Sequence, residues 1–372
     1  MEYSILEKCG ARPSRLGFGC MRFPTTPEGK IDEPRAAAMI DKAYQAGVNY
    51  FDTAFFYHQR TSEAFMGRVL QAYPRDSFYL ATKLPMSLIH TLDEAKEIFE
   101  GQFAALDTAY FDFYLLHALN DERWQRAVDL GILDFLIEQQ KLGRIRRLGF
   151  SFHDSYEVFE KILTYREWDF CQIQYNYMDT EIQAGDRGYQ LAERLGVPMV
   201  IMEPVKGGSL AVLSDDITSM FRNVHPDWST ASWAMRWVAS HPNCRIILSG
   251  MSDEAQVEDN LKTFSNLGEF GELEKKTIQD VRAAMRAKQF IGCTGCRYCM
   301  PCPFGVDIPG NFKMMNDYAM YQNTKRRRDS WNFFDPEEKA DNCRKCGKCE
   351  EACPQKLSIR ALLSGIADEM KE

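Results

Sequence analysis

Between residues 16 and 264, short apolar runs alternate with stretches whose apolar residues recur at helical spacing. Eight runs have strand length: 16–21, 50–54, 78–82, 111–116, 147–152, 171–175, 199–202 and 245–248. Amphipathic helices are predicted at 34–45, 62–71, 92–106, 130–142, 156–163, 188–195, 230–240 and 254–264. Several end in a glycine suited to a helix C-cap, as at Gly47, Gly143 and Gly196. Short strands without a polar face suit a parallel sheet covered on both sides. Eight strand–helix units over about 250 residues fit a closed (β/α)8 TIM barrel. An open doubly wound sheet is the rival architecture, but no strand is followed by G-x-G-x-x-G. A further helical stretch, 273–289, leads into Cys293. It divides the chain into a barrel, 1–285, and a small C-terminal domain, 286–372.

Composition narrows the function classes. A hydrophobic content of 45% is that of a globular protein, and 372 residues suffice for one large and one small domain. The net charge of −8 argues against nucleic acid as a partner. No apolar run has transmembrane length, and the first ten residues lack the basic start and apolar core of a signal peptide. The expected location is the cytoplasm, without membrane association.

Twelve cysteines change this picture most. Four, Cys9, Cys20, Cys171 and Cys244, are scattered and read as small hydrophobes. The other eight form two runs: Cys293, Cys296, Cys299 and Cys302, then Cys343, Cys346, Cys349 and Cys353, each closed by a proline. In a reducing compartment such thiols are metal ligands rather than disulfides. The second run has the C-x2-C-x2-C-x3-C-P spacing of two-cluster ferredoxins. The first has one residue fewer before its last cysteine. Two [4Fe-4S] clusters in a ferredoxin-like domain are expected, and structural zinc is the rival. Between the runs, a helix or two are expected. Residues 325–328 form a basic run, read as a solvated face or as a docking patch for an acidic redox partner.

At the barrel mouth, catalytic residues are expected at the C-terminal ends of strands. Asp52, Lys83 and His117 fall at the ends of the second, third and fourth predicted strands, and Tyr57 follows in the second loop. Their chemistry is coherent. A carbonyl that accepts hydride at carbon needs a proton donor at oxygen. Tyr57 supplies the proton, Lys83 favours its phenolate, Asp52 keeps Lys83 charged, and His117 orients the carbonyl.

These residues carry a family resemblance. The run Asn49-Tyr50-Phe51-Asp52-Thr53-Ala54-Phe55-Phe56-Tyr57, with Ser62-Glu63, Gly67, Ala81-Thr82-Lys83 and Tyr114-Leu115-Leu116-His117, resembles the aldo/keto reductases. The branch resembled carries an appended iron–sulfur domain, on the evidence of Cys293-Thr294-Gly295-Cys296, the Cys302–Pro309 run and Cys353-Pro354-Gln355. Tyr3 to Gly10 resembles the hairpin that plugs such a barrel. The resemblance implies that Tyr57 is the general acid, tuned by Asp52 and Lys83, with His117 on the carbonyl oxygen. It also implies NADPH across the mouth, with Ser151 and Gln172 on the nicotinamide carboxamide and Gly250 and Asn260 on the adenosine side. Cluster one is expected to use Cys293, Cys296, Cys299 and Cys353, and cluster two Cys343, Cys346, Cys349 and Cys302.

The sequence departs from the family pattern at the cofactor. The Asn usual beside the Ser is Phe152, the usual Tyr-Ser-Pro reads Met202-Glu203-Pro204, and the phosphate-binding Arg is Gln256. Lys206, with Gly207 and Gly208, is the cation expected near a cofactor phosphate. Nicotinamide gives two electrons at once, whereas a cubane exchanges one. A flavin such as FMN handles both and is the alternative cofactor. The resulting expectation is an iron–sulfur oxidoreductase acting on a carbonyl or related conjugated small molecule, linked to ferredoxin or another one-electron carrier. An NADPH-dependent enzyme with structural or accessory clusters and a non-enzymatic electron-transfer module are the alternatives. Phe23, Phe55, Phe56 and Phe152 suggest an apolar or aromatic substrate.

Overall fold

The apolar runs do become strands, and the strands close on themselves. The computed structural model describes residues 1–6 and 10–371. Residues 7–9 of the expected N-terminal hairpin, Cys9 among them, lie outside the described residues. The strands are β1 Leu16–Gly19, β2 Tyr50–Asp52, β3 Tyr79–Leu84, β4 Phe113–Leu119, β5 Leu148–Phe152, β6 Phe170–Gln174, β7 Met199–Met202 and β8 Cys244–Ser249. They form a closed barrel in sequence order, and β8 returns to pair in parallel with β1. Tyr50, Ala81, Phe113, Leu115, Phe170, Val200 and Ile246 form one buried cluster together with Leu6 and Ala11. Leu6 and Ala11 are bridged antiparallel, as are Tyr3 and Ser14.

The helices that cover the strands are α1 Glu33–Gln45, α2 Ser62–Leu70, α3 Leu92–Leu106, α4 Asp121–Asp129, α5 Ile132–Lys141, α6 Tyr156–Leu163 and α7 Gly185–Arg194. Then come α8 Asp215–Arg222, α9 Thr230–Ala239 and α10 Glu254–Ser265. Helix α3 shows why they form: Thr91 and Glu94 make a reciprocal capping box, and Ala95, Phe99, Gln102 and Leu106 are its buried stripe. Two helices escape the hydrophobic pattern. The helix expected over 130–142 forms as α5, and α4 precedes it where none was expected. Helix α4, capped by Asn120, ends before Gly131, whose φ of +69° breaks the run. Helix α4 buries only Trp124 and Ala127, and α8 only Ile217 and Phe221, so neither has a long apolar stripe.

The chain divides into two compact units. Met1–Gly207 with Ala231–Gly271 contains the barrel strands, and Gly208–Thr230 with Glu272–Glu372 forms the second. The second unit contains α11 Glu272–Ala287, α12 Ile308–Tyr321, α13 Thr324–Phe333, α14 Lys348–Ala352 and α15 Ile359–Glu369. Helices α12 and α13 are the ones expected between the cysteine runs. Its core gathers Ile291, Val306, Ile308, Phe312, Trp331, Cys353 and Leu363, with Cys293, Cys299, Cys302, Cys343 and Cys349 packed against it.

Candidate active site and cysteine cavities

Strand pairing places Asp52 beside Ala81, two residues before Lys83. From there Lys83 finds three acceptors for its three protons. Its Nζ donates to Asp52 Oδ1 at 2.6 Å, to the Thr53 carbonyl at 2.7 Å and to the Tyr57 hydroxyl at 3.4 Å. The Lys83 side chain is 0% exposed and that of Asp52 2%. Burial pushes the Lys83 ammonium down, but Asp52 and Tyr57 outweigh it, so its pKa lies above the ordinary value. Burial pushes the Tyr57 hydroxyl above an ordinary phenol while Lys83 pulls it back. The expectation that Lys83 lowers Tyr57 is thus only half of its environment, because burial of the hydroxyl acts the other way and is the larger effect. Tyr57 accepts from Lys83, which leaves its own hydrogen free to point at a ligand.

His117 lies edge-on to Tyr57, with ring centroids 6.3 Å apart. Burial, then the Lys83 cation, push its pKa down to about 3, so the imidazole is neutral. Its buried Nδ1 has no protein partner among the described residues.

Two supports around these residues were not visible in the sequence. Behind Lys83, the Gln102 amide donates to Glu63 at 2.7 Å and to the Lys83 carbonyl at 3.0 Å, and accepts from the Tyr114 hydroxyl at 2.5 Å. A polar residue on the apolar stripe of α3 was the available signal. After Tyr57, His58, Gln59 and Arg60 all take positive φ, 49°, 55° and 71°. Such backbone is strained by roughly 1–3 kcal/mol per residue and needs external support. The Phe23 N–H donates to His58 Nε2 at 3.1 Å, and the Thr61 hydroxyl to the His58 carbonyl at 2.7 Å.

Ser151 and Gln172 are register partners on β5 and β6. Ser151 Oγ accepts the Ala118 N–H at 2.7 Å, which leaves its hydroxyl hydrogen to donate. Gln172 Oε1 is buried without a protein partner among the described residues. One donor beside one orphaned acceptor complements a primary carboxamide, so these residues fit a nicotinamide. The other expected cofactor residues are placed differently. Lys206 is buried, and its Nζ donates to both carboxylate oxygens of Asp179 at 2.6 Å. Gln174 and Asn176 also donate to Asp179. Lys206 at φ +50° and Gly207 at +60° form the turn after β7, and Gly208 has φ +91°. Gly250 follows β8, and Asn260 donates to Ser249 Oγ at 2.9 Å. Gln256 is consumed locally: its carbonyl accepts the Ser252 N–H and its amide donates to Asp253. Glu254 pairs with Arg35. Of the aromatics, Phe56 faces His117 at 6.1 Å. Phe152 instead packs on Phe159, and Phe23 on Phe65, within the core.

Among the described residues, no three His, Cys, Asp or Glu side chains gather closely enough to hold a single ion. The thiols instead line two cavities. Cys293, Cys296, Cys299 and Cys353 line one. Cys302, Cys343, Cys346 and Cys349 line the other, with Cys299 between them. Burial, then the nearby Cys293, Cys296 and Cys353, push the Cys299 thiol up. The last cysteine of each run thus joins the first three of the other, and the two sets fit two four-thiolate clusters. Cys20, Cys171 and Cys244 are fully buried.

Comparison with known proteins agrees with both halves. A family model described as Aldo/keto reductase family matches residues 15–285, and one described as 4Fe-4S dicluster domain matches residues 292–357. The probable aldo-keto reductase 1 of Glycine max is 25% identical over 228 residues, which are 58% of this chain and 64% of that protein's length. The aldo-keto reductase AKR11C1 from Bacillus halodurans, in its holo form, superposes with a TM-score of 0.64 at 25% identity, covering 76% of this chain and 96% of that one. An aldo-keto reductase from Klebsiella pneumoniae in complex with NADPH shares the fold at 19% identity and a TM-score of 0.61, over 76% of this chain and 96% of its own. No helix among the described residues is long and apolar enough to cross a membrane.

Proposed function

The chain belongs to the aldo/keto reductase family and carries a 4Fe-4S dicluster domain; from that premise we propose that this oxidoreductase reduces a carbonyl or related conjugated group on a small apolar molecule. The observation that carries the reading is the buried Lys83, in contact with Asp52, the Thr53 carbonyl and Tyr57. Tyr57 holds its proton at rest, because burial raises its pKa. As charge develops on the substrate oxygen, Tyr57 gives up that proton and the Lys83 ammonium stabilises the phenolate left behind. Asp52 and the Thr53 carbonyl fix Lys83 for this role. Neutral His117 directs a ring nitrogen at the carbonyl oxygen and sets the substrate's orientation.

Ser151 and Gln172 would hold the carboxamide of a nicotinamide, which when bound would supply the hydride. The neighbour solved with NADPH supports this choice of cofactor class. The adenosine end supports a second reading. Gln256 is already spent, and the Asp253 carboxylate beside it opposes a 2′-phosphate. A flavin has no such phosphate and converts between one- and two-electron steps. In that reading Lys206 would hold the flavin phosphate and would have to give up part of its contact with Asp179. In the flavin reading the clusters, at 286–372, exchange single electrons with a ferredoxin or similar carrier; in the nicotinamide reading they are structural or accessory. Both readings are of a cytoplasmic protein.

Changing Tyr57 to Phe is the test. Carbonyl turnover should fall by roughly 10²- to 10⁴-fold, the span of general acid catalysis. Iron content and bound cofactor should stay unchanged. Undiminished turnover would remove Tyr57 as the acid. Mass identification of the cofactor released from anaerobically purified protein decides between nicotinamide and flavin.

A further inference from the structure

We propose that the surface around Cys343, Cys346 and Cys349 is the docking face for an acidic one-electron carrier protein, with Arg344, Lys345 and Lys348 as its contacts. This rests on the reading that the clusters exchange electrons with a carrier. It names which cluster the carrier approaches and which side chains recognise the partner.

The sequence interleaves charge with ligands: Cys343-Arg344-Lys345-Cys346-Gly347-Lys348-Cys349. A chain wrapped around a cluster turns its thiols inward and the intervening side chains outward. Here all three cations are exposed, as is Cys346; Cys296 of the other set is exposed too, so charge and not exposure separates the two sets. They line the cavity that holds Cys302, Cys343, Cys346 and Cys349, whose lining includes no carboxylate. A fourth cation there, Arg360, is neutralised by Glu350 at 2.7 Å. Among the described residues, Arg344, Lys345 and Lys348 form no such pair.

The other cavity differs. Its one cation is Arg297, which has Asp307 at 3.6 Å. Charge therefore marks one cluster of the two. The wider balance agrees, since residues 286–372 hold 15 Lys and Arg against 12 Asp and Glu in a chain of net charge −8. Apolar anchors flank the cations. Tyr298 is 70% exposed and Phe304 43%, and both line the same cavity. Aromatic and Arg residues beside unpaired positive charge suit a small, transient interface, steered by electrostatics and weakened by salt.

The basic run at 325–328 is the weaker candidate. Arg326 donates to Ser209, and Arg327 pairs with Glu369. None of the four lines a thiol cavity.

The test uses the full chain, purified anaerobically with both clusters loaded, and a reduced ferredoxin of net negative charge as probe. Its binding and the rate of cluster bleaching are followed at low and moderate salt without substrate. The triple variant R344E/K345E/K348E should bind at least tenfold more weakly at low salt and lose most of the salt dependence. Its iron content, and its reduction by an uncharged photoreduced deazaflavin, should match the wild type. Wild-type binding by the triple variant overturns the proposal. So does a loss confined to K325E/R328E. If the triple variant fails to hold its clusters, K345Q and K348Q replace it, each expected to weaken binding about twofold to threefold; wild-type affinity in both overturns the assignment. Because the readout omits the carbonyl substrate, failure at Tyr57 and failure at this surface remain distinct results.

Discussion

Replacing Lys83 by Met should destabilise the barrel by about 3–5 kcal/mol, the usual consequence of removing one partner from a buried ion pair. Neither side chain is reached by water, so no screening discount applies. At 2.6 Å the attraction is roughly 6 kcal/mol for an effective dielectric near 20. Desolvation of the two ions offsets most of it, so the pair as a whole contributes little net stability. The single variant is different, because Asp52 stays behind without a counter-charge. Asp52 escapes only by taking a proton, which at pH 7 costs about 4 kcal/mol from an ordinary carboxyl pKa. The double variant D52L/K83M removes both charges and should recover most of the loss, yet stay as inactive as K83M. The assay is denaturant unfolding followed by tryptophan fluorescence, with carbonyl turnover measured on the same samples. Protonation makes the comparison depend on pH. In K83M the folded pKa of Asp52 lies above its unfolded value, so the penalty is smallest in acid and grows as pH rises. From pH 7 to 5.5 the gap between the single and double variants should narrow by about 2 kcal/mol. Equal midpoints for the two variants at pH 7 would refute the reasoning, as would turnover restored in the double variant.

Because His117 is held neutral with a pKa of about 3, the pH profile of turnover should have no His117-dependent limb between pH 5 and 8. A limb near 6.5 that disappears in His117→Gln would contradict this. Gln256→Arg should tighten NADP(H) about tenfold relative to NAD(H) by supplying the missing guanidinium fork, and fluorescence titration checks it. Cys353→Ser and Cys293→Ser should lose the same cluster, and Cys302→Ser the same one as Cys349→Ser. Iron counts and the spectra of the remaining cluster would show whether the sets cross as the cavities indicate.

Much of the architecture was legible in the chain because it rests on short-range pattern. Buried strands need consecutive apolar residues, and helices α1, α3 and α6 carry stripes at their own period. Helices α4 and α8 bury two residues each, too few to mark the period. That Asp52, Lys83 and His117 gather near Tyr57 was legible because the three fall toward the ends of consecutive strands. Lys206 was read as a free cation, since nothing near it in sequence suggests a carboxylate. Its partner Asp179 lies 27 residues earlier, on the neighbouring β6 side of the barrel. Gln102 belonged by position to an apolar stripe, and its role appeared only once α3 lay against Glu63, Lys83 and Tyr114.

The sequence by itself determined the eight-unit barrel, the chemistry available at its strand ends and the thiol spacing of two clusters. Periodicity, residue type and close spacing are local, and they survive without knowledge of the fold. The tertiary structure alone decided which charges are spent on each other. It buried the Tyr57 hydroxyl beside Lys83, committed Lys206 to Asp179, and left Arg344, Lys345 and Lys348 beside a cysteine cavity with no ion-pair partner among the described residues. Each outcome depends on contacts between distant segments, and on the burial those contacts create, which no local pattern encodes.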